Sequence, residues 1–282
     1  MYARPAELDE ALNLLAEPGA RVLAGGTDIF PIAGERPLRG LHVDVTGIKA
    51  LRSLSRASDA MRIGGAVTWA ELANADLPPA FNALKVAARE VGGVQIQNRG
   101  TIAGNLCNAS PAADGVPPLL ILDAEVEIAS RRGVRRLPLA EFIAGNRRTA
   151  LARDEIVTAI VAPAPKETMR SAFLKLGARR YLVISIVMVA ALLDVDKGLV
   201  RDARVAVGAC SAAAKRLPSI ERRLYGAKAR AGLGDSVSAE DLAGLTPIDD
   251  LRASADYRRD AALTLARRAI ECCVAGQVGG AL

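Results

Sequence analysis

Apolar residues at Ala6, Leu8, Ala11, Leu12 and Leu15 recur at helical spacing behind Pro5, and Glu17-Pro18-Gly19 closes the run, so the chain is predicted to open with an amphipathic helix. The pattern then shortens: Arg21 to Ala24 and Leu41 to Val45 read as strands, and Met61 to Val67 carries β-formers broken by Gly64-Gly65. Thr68-Trp69-Ala70-Glu71 has capping-box spacing, the threonine accepting from an orphan backbone N–H and the glutamate reaching back, which starts a helix there. Phe81 to Val91 predicts another helix, leading into a polar, glycine-rich passage from Gly92 to Gly104.

Glu125–Ala129 and Val134–Leu137 flank Arg131-Arg132-Gly133 and predict a hairpin, and Ile156–Val161 predicts a strand ahead of Pro163 and Pro165, the best linker candidate. Beyond it, strands are predicted at Ala172–Leu176, Ile184–Leu193 and Ala203–Gly208, with helices near Ala212–Tyr225 and Ala255–Val274. In the last helix Leu263, Ala266, Ile270 and Val274 share one face, with Arg259, Arg267 and Arg268 elsewhere. An α/β half followed by a strand-then-helix half predicts α+β architecture, and 282 residues suggest two or three folding units.

Composition narrows the function. Hydrophobic residues form 51% of the chain and aromatics only 3%, so the core is built from Ala, Val, Leu and Ile, and the scattered aromatics offer no stacking platform for nucleic acid despite a net charge of +6. The most apolar run, Tyr181 to Leu193, is shorter than the roughly 20 residues of a membrane-spanning helix and reads as a buried strand, and the N-terminus lacks a secretory core, which predicts cytoplasmic residence. Cys107, Cys210, Cys272 and Cys273 lack the spacing of a disulfide framework, a zinc site or an iron–sulfur site and read as buried, reduced thiols. His42 is the only histidine, which removes a Ser-His-Asp hydrolase and any multi-histidine metal site. Redox chemistry in this chain therefore needs an organic cofactor.

Two segments carry candidate chemistry. In Ala24-Gly25-Gly26-Thr27-Asp28 adjacent glycines at a strand exit permit close backbone approach to a pyrophosphate, although a glycine pair equally suits a tight turn. It is not a Gly-x-Gly-x-x-Gly fingerprint, so a Rossmann reading lacks support. From Asn98-Arg99-Gly100-Thr101-Ile102-Ala103-Gly104-Asn105 to Ala109-Ser110-Pro111-Ala112-Ala113-Asp114, small hydroxyl and amide side chains alternate with Gly and Ala, which suits a phosphate and ribose site with Asp114 accepting from a sugar hydroxyl; a polar loop bonded to itself is the alternative.

With Gly145-Asn146-Arg147-Arg148-Thr149-Ala150-Leu151, Asp154-Glu155-Ile156-Val157, Ser171-Ala172-Phe173-Leu174-Lys175-Leu176, Arg179-Arg180 and Tyr257-Arg258-Arg259, these motifs stand in the order in which they occur along essentially the whole FAD-binding medium subunit of the xanthine dehydrogenase and carbon monoxide dehydrogenase, or molybdenum hydroxylase, family, which this chain resembles. The resemblance implies an α+β chain: a two-subdomain α/β FAD-binding domain of the vanillyl-alcohol-oxidase/PCMH-like type, at 1–54 and 55–165, followed by a C-terminal antiparallel sheet with helices at 166–282. It implies FAD held by Ala24, Gly25, Gly26, Thr27, Asp28, Ile29, Thr101, Gly104, Asn105 and Ser110, with Asp114 at the cofactor's polar end and Val157 and Lys175 near the flavin; for Lys175 a solvated strand lysine is the alternative.

The resemblance further implies no catalytic side chain and no metal in this chain, a molybdenum cofactor in a large subunit, two [2Fe–2S] clusters in a small subunit, a dimer of heterotrimers, and electrons leaving from FAD to NAD, oxygen or another acceptor. One departure is Tyr181-Leu182-Val183-Ile184, where relatives often carry a more polar run. The cysteine-rich insertion of the benzoyl-CoA reductase branch is absent, which disfavours that branch. A self-contained flavin reductase or oxidase of the same broad fold and a flavin-free partner-binding module are the alternatives; the first lacks a proton-donor candidate, and the intact glycine segments speak against the second.

Overall fold

The computed structural model describes residues 1–281. The N-terminal helix runs Leu8–Leu15 and presses Ala11, Leu12 and Leu15 onto a three-stranded parallel sheet, in which His42–Asp44 lies between Tyr2–Ala3 and Arg21–Leu23. Val43, Val45, Ile48 and Leu51 complete that core, and Ala66, Ala129 and Ile156 join it from the next layer.

A five-stranded antiparallel sheet follows, in the order Leu54–Arg56, Ala60–Gly64, Ile156–Pro163, Glu125–Ser130, Gly133–Pro138. The predicted hairpin forms with Ser130 opposite Gly133, leaving Arg131-Arg132 as its two-residue turn. The capping box at Thr68 forms as well: Thr68 Oγ1 accepts from the Glu71 N–H at 3.2 Å, and Glu71 Oε2 accepts from the Thr68 N–H at 2.8 Å. Helices Trp69–Asn74, Asn82–Glu90, Ile102–Asn108 and Val116–Ile121 pack their apolar faces into one core with this sheet.

The chain leaves the second sheet at Pro163 and enters a third at Met169. Its order is Lys215–Arg216, Leu199–Gly208, Val187–Asp196, Met169–Leu176, Gly279–Ala281, antiparallel except for the last pair, which is parallel. Both faces are covered. Leu174, Val189 and Ala191 face the long helix Ala255–Ala275, while Phe173, Met188, Ala190 and Leu192 share the core of the second sheet and its helices. Two-sided burial explains why Val187 to Asp194 is buried without interruption, where a half-exposed strand would alternate. Among the described residues no helix is long and apolar enough to cross a membrane.

Three predicted elements differ from the structure. The helix expected near Ala212–Tyr225 is only Pro218–Leu224, because Lys215-Arg216 pairs as an edge strand with Ala206-Val207 and Pro218 fixes the helix start. The strand expected at Ile184–Leu193 runs Val187–Asp196, which leaves Ile184 and Ser185 outside the ladder. The buried stripe of the last helix is Arg258, Ala261, Ala262, Leu265, Ala266, Ala269, Ile270 and Cys273, with Leu263 and Val274 only at its margins. Small residues dominate that stripe, so helix and sheet approach closely enough for Cys273 Sγ to lie 3.4 Å from the Ala191 carbonyl oxygen.

Candidate functional site

Strand Arg21–Leu23 delivers the chain into Ala24–Asp28, where both glycines are required by geometry. A Cβ on Gly25 would stand 2.0 Å from the Arg99 carbonyl oxygen, and Gly26 has φ +72° with the Phe30 ring 2.4 Å from the position of an added Cβ. The first loop therefore seats directly on the second segment. Among the described residues the N–H groups of Gly25, Gly26, Thr27, Asp28 and Ile29 find no protein acceptor. Successive free amides of this kind form a concavity suited to an anion.

In the second segment Thr101 caps helix Ile102–Asn108, its Oγ1 accepting from the Gly104 N–H at 3.1 Å. The Ile102 and Ala103 amides donate to the carbonyls of Val67 (3.0 Å) and Gly65 (3.1 Å), so the helix start is bolted to the second sheet and its first amides are already used. Asn105 differs: its Oδ1 is buried with no hydrogen-bond partner, and it occupies the space a side chain on Gly115 would need, 2.9 Å from the position of a Cβ there. An orphaned amide oxygen in this position is the mark of a site that expects a further donor.

Farther along, Asp114 is buried between two other elements. Its Oδ2 accepts from Lys175 Nζ at 2.7 Å and its Oδ1 from Ser185 Oγ at 2.6 Å, while Lys175 Nζ also donates to the Glu90 carbonyl at 3.0 Å. Burial pushes the Asp114 carboxyl above the usual range, against the pull of the Lys175 ammonium and the Ser185 hydroxyl. Lys175 is only 2% exposed, so the alternative of a solvated strand lysine is wrong: its stem is packed in the sheet and its charge is spent on a buried carboxylate.

These segments line one cleft of about 1210 Å³, larger than the roughly 300–1,000 Å³ of ordinary small-molecule pockets. Ala24 to Ile29, Thr101, Gly104, Asn105, Ser110, Asp114 and Val157 all face it; Lys175 does not, and stands behind Asp114. Leu182, Val183 and Ile184 close one wall from the loop between strands Met169–Leu176 and Val187–Asp196, so the apolar departure noted in the sequence does lie at the cleft. Leu182 takes φ +50° and Arg179 holds its carbonyl through Nε (3.2 Å) and Nη2 (2.6 Å).

Sequence reasoning missed several residues at or behind the wall of the cleft. Ser185, buried behind Asp114, was detectable as a hydroxyl inside an otherwise apolar run. Gly65 was not: its role is a close approach in which an added Cβ would lie 2.5 Å from the Val157 carbonyl oxygen. Glu155 also lines the cleft, bonded to Arg135 at 2.8 and 2.7 Å, and that guanidinium holds its carboxyl below the ordinary range.

Fold and cleft together define a protein with a cleft roomy enough for a large anionic cofactor, lined by open backbone amides and bounded on one wall by Leu182 to Ile184. Residues 1–165 match the family model described as the FAD binding domain in molybdopterin dehydrogenase, and residues 172–273 match the CO dehydrogenase flavoprotein C-terminal domain. The chain is 35% identical over 283 residues to the xanthine dehydrogenase FAD-binding subunit of Escherichia coli O157:H7, covering 99% of this chain and 97% of that one. It is 30% identical to the nicotine 6-hydroxylase medium subunit of Paenarthrobacter nicotinovorans, over 95% of each chain. A reconstituted CO dehydrogenase from Oligotropha carboxidovorans contains a chain of the same fold, with a TM-score of 0.90 at 26% identity over 97% of each chain. The chain belongs to the FAD-binding subunits of the molybdopterin dehydrogenase family, and its cofactor is FAD.

Proposed function

We propose that this chain is the electron-exit subunit of a heteromeric molybdenum hydroxylase. A large subunit hydroxylates the substrate at a molybdenum cofactor, a small subunit carries [2Fe–2S] clusters, and FAD bound here serves NAD, oxygen or another acceptor. The relatives named as xanthine dehydrogenase and nicotine 6-hydroxylase subunits support the reading. The observation that carries it is the row of five open amides, Gly25 to Ile29, on the wall of a cleft long enough for a dinucleotide.

The residues fit FAD in the following way. The amides from Gly25 to Ile29 take the pyrophosphate, with Ala24 setting the strand exit and the hydroxyl of Thr101 and the side chain of Asn105 adding polar contacts. Gly104 keeps the helix start low enough for this approach, since a Cβ there would meet Thr101 Oγ1 at 2.9 Å. Ser110 and Asp114 meet the cofactor's polar groups, Val157 packs against its apolar surface, and Lys175 acts through Asp114. When bound, FAD supplies a group that accepts electrons singly and releases them in pairs. The protein supplies position and a preorganised electrostatic environment.

The domains fall at 1–54, 55–165 and 166–282, the assembly is a dimer of heterotrimers, and the complex works in the cytoplasm. Purification of the native assembly tests the reading. A yellow-brown complex containing molybdenum, iron and two further chains is the expected result; an active, yellow, iron-free monomer would sink it.

A further inference from the structure

We infer that Arg258, in the first turn of the last helix, is a positioning residue for the flavin site: its guanidinium clamps the Ile186 and Ala209 carbonyls, and through them holds the cleft-lining run from Ser110 to Asp114. The inference rests on the FAD reading of the cleft. Arg258 is 3% exposed. Nη1 donates to the Ile186 carbonyl at 2.6 Å and to the Ala209 carbonyl at 3.1 Å, and Nη2 donates to Asp250 Oδ1 at 2.8 Å.

Each clamped peptide adjoins a contact to the cleft. Ser185, immediately before Ile186, donates its hydroxyl to Asp114 Oδ1 at 2.6 Å, and the Ile186 N–H is held by the Leu176 carbonyl, next to Lys175. Ala209 donates its N–H to the Pro111 carbonyl at 2.9 Å while its own carbonyl accepts from Arg258. Ala209 does so with φ +62°, a conformation that an L-residue keeps only when its surroundings insist. The clamp thus fixes both flanks of the Ser110–Asp114 run, from two different strand ends of the third sheet.

Stability alone is a poor account of this arginine. A buried guanidinium paired with one carboxylate is often no better than an apolar side chain of equal volume, and here Nε is left without a partner. What a guanidinium provides is a rigid planar fork that spans three acceptors at once. An ammonium on a flexible stem lacks that geometry.

The test uses the full chain, stripped of flavin and titrated with FAD while fluorescence and visible circular dichroism are followed. Arg258→Lys is expected to weaken FAD binding by about tenfold, as loss of an outer-shell orienting contact does elsewhere, and to change the dichroism of the bound flavin. Combined with Ser185→Ala, its effect is expected to be less than multiplicative, because both act on Asp114. Arg223→Gln breaks a more exposed pair in the same unit, Arg223 Nε to Asp241 Oδ2 at 2.9 Å, and is expected to lower the melting temperature while leaving FAD affinity unchanged.

Arg258→Lys that melts earlier yet keeps wild-type affinity and dichroism would overturn the inference, as would fully multiplicative effects with Ser185→Ala. Should Arg258→Lys yield no folded protein, Asp250→Asn decides by the same affinity criterion. A wild-type chain that takes up no FAD would overturn the flavin reading and the inference with it; loss confined to the variants separates the two.

Discussion

Lys175→Met removes one charge from a pair in which Lys175 is 2% exposed and Asp114 7% exposed, leaving a buried carboxylate with Ser185 as its only side-chain donor. Breaking a buried pair on one side costs about 3–5 kcal/mol, because the remaining charge is uncompensated. For a chain of this size that corresponds to a fall in melting temperature on the order of 10 °C. The cost has a pH dependence of definite sign. Burial already pushes the Asp114 carboxyl above its unfolded value, and without the ammonium it rises further. A folded-state acid with a raised pKa retains its proton where the unfolded chain has lost it, so stability falls as pH rises between the unfolded value of about 3.9 and the raised folded one. The deficit of Lys175→Met relative to wild type is therefore expected to be largest at pH 8 and to shrink towards pH 5, measured by urea unfolding of the flavin-free chain. Asp114→Asn combined with Lys175→Met removes both charges, and is expected to recover most of the loss and to flatten the pH dependence. A deficit independent of pH, or a double variant no better than Lys175→Met alone, would refute the argument that the ion pair is what keeps Asp114 charged.

Gly25→Ala is expected to weaken FAD binding by at least about tenfold with little change in fold, because the new Cβ must move away from the Arg99 carbonyl and carry the loop amides with it. Gly198→Ala is the control: its φ of +73° makes alanine cost roughly 1 kcal/mol, yet nothing lies within 4 Å of the new Cβ and Gly198 is outside the cleft, so FAD affinity in a fluorescence titration should not change. Cys107, expected from the sequence to be buried, is exposed on the wall of the cleft, so alkylation by maleimide at pH 8 is expected to proceed readily in the flavin-free chain and at least tenfold more slowly with FAD bound; equal rates would place the thiol outside the cofactor's footprint. Thr68→Ala removes the helix cap and is expected to cost about 1 kcal/mol in thermal unfolding of the flavin-free chain.

The parts of the site legible in the sequence were those whose requirement is backbone freedom. Gly26 had to be glycine for a reason local to the loop, its φ of +72°, whereas the close approach that requires glycine at Gly25 is to Arg99, and the helix that Thr101 caps lay hidden in a polar, glycine-rich passage. Asp114 was legible as a polar end to its segment, but Lys175 only through the resemblance: the two lie 61 positions apart and meet because the second and third sheets share one core. Glu90 contributes through its carbonyl alone, which side-chain identity does not reveal. The missed edge strand at Lys215-Arg216 has the same origin, since its pairing with Ala206-Val207 is a long-range contact between polar residues that carry no strand signal of their own. Arg258 stands in the sequence as part of a motif opening a helix, but its burial follows from the stripe of small residues beside it, which shares Ala266 and Ile270 with the predicted face and leaves Leu263 and Val274 at its margins.

The distribution of hydrogen bonds around the cleft bears on how it selects its cofactor. Most polar groups there are already paired within the protein: Asp114 with Lys175 and Ser185, Glu155 with Arg135, the first amides of helix Ile102–Asn108 with Gly65, Val67 and Thr101. The donors left open are chiefly backbone groups, the amides from Gly25 to Ile29, whose direction is set by the chain path. A site of this kind binds with little further loss of side-chain freedom, because few rotamers remain to be ordered. It also follows that loop substitutions which keep the backbone path, such as Thr27→Ser, should disturb binding far less than one added methyl at Gly25, where the path itself must change.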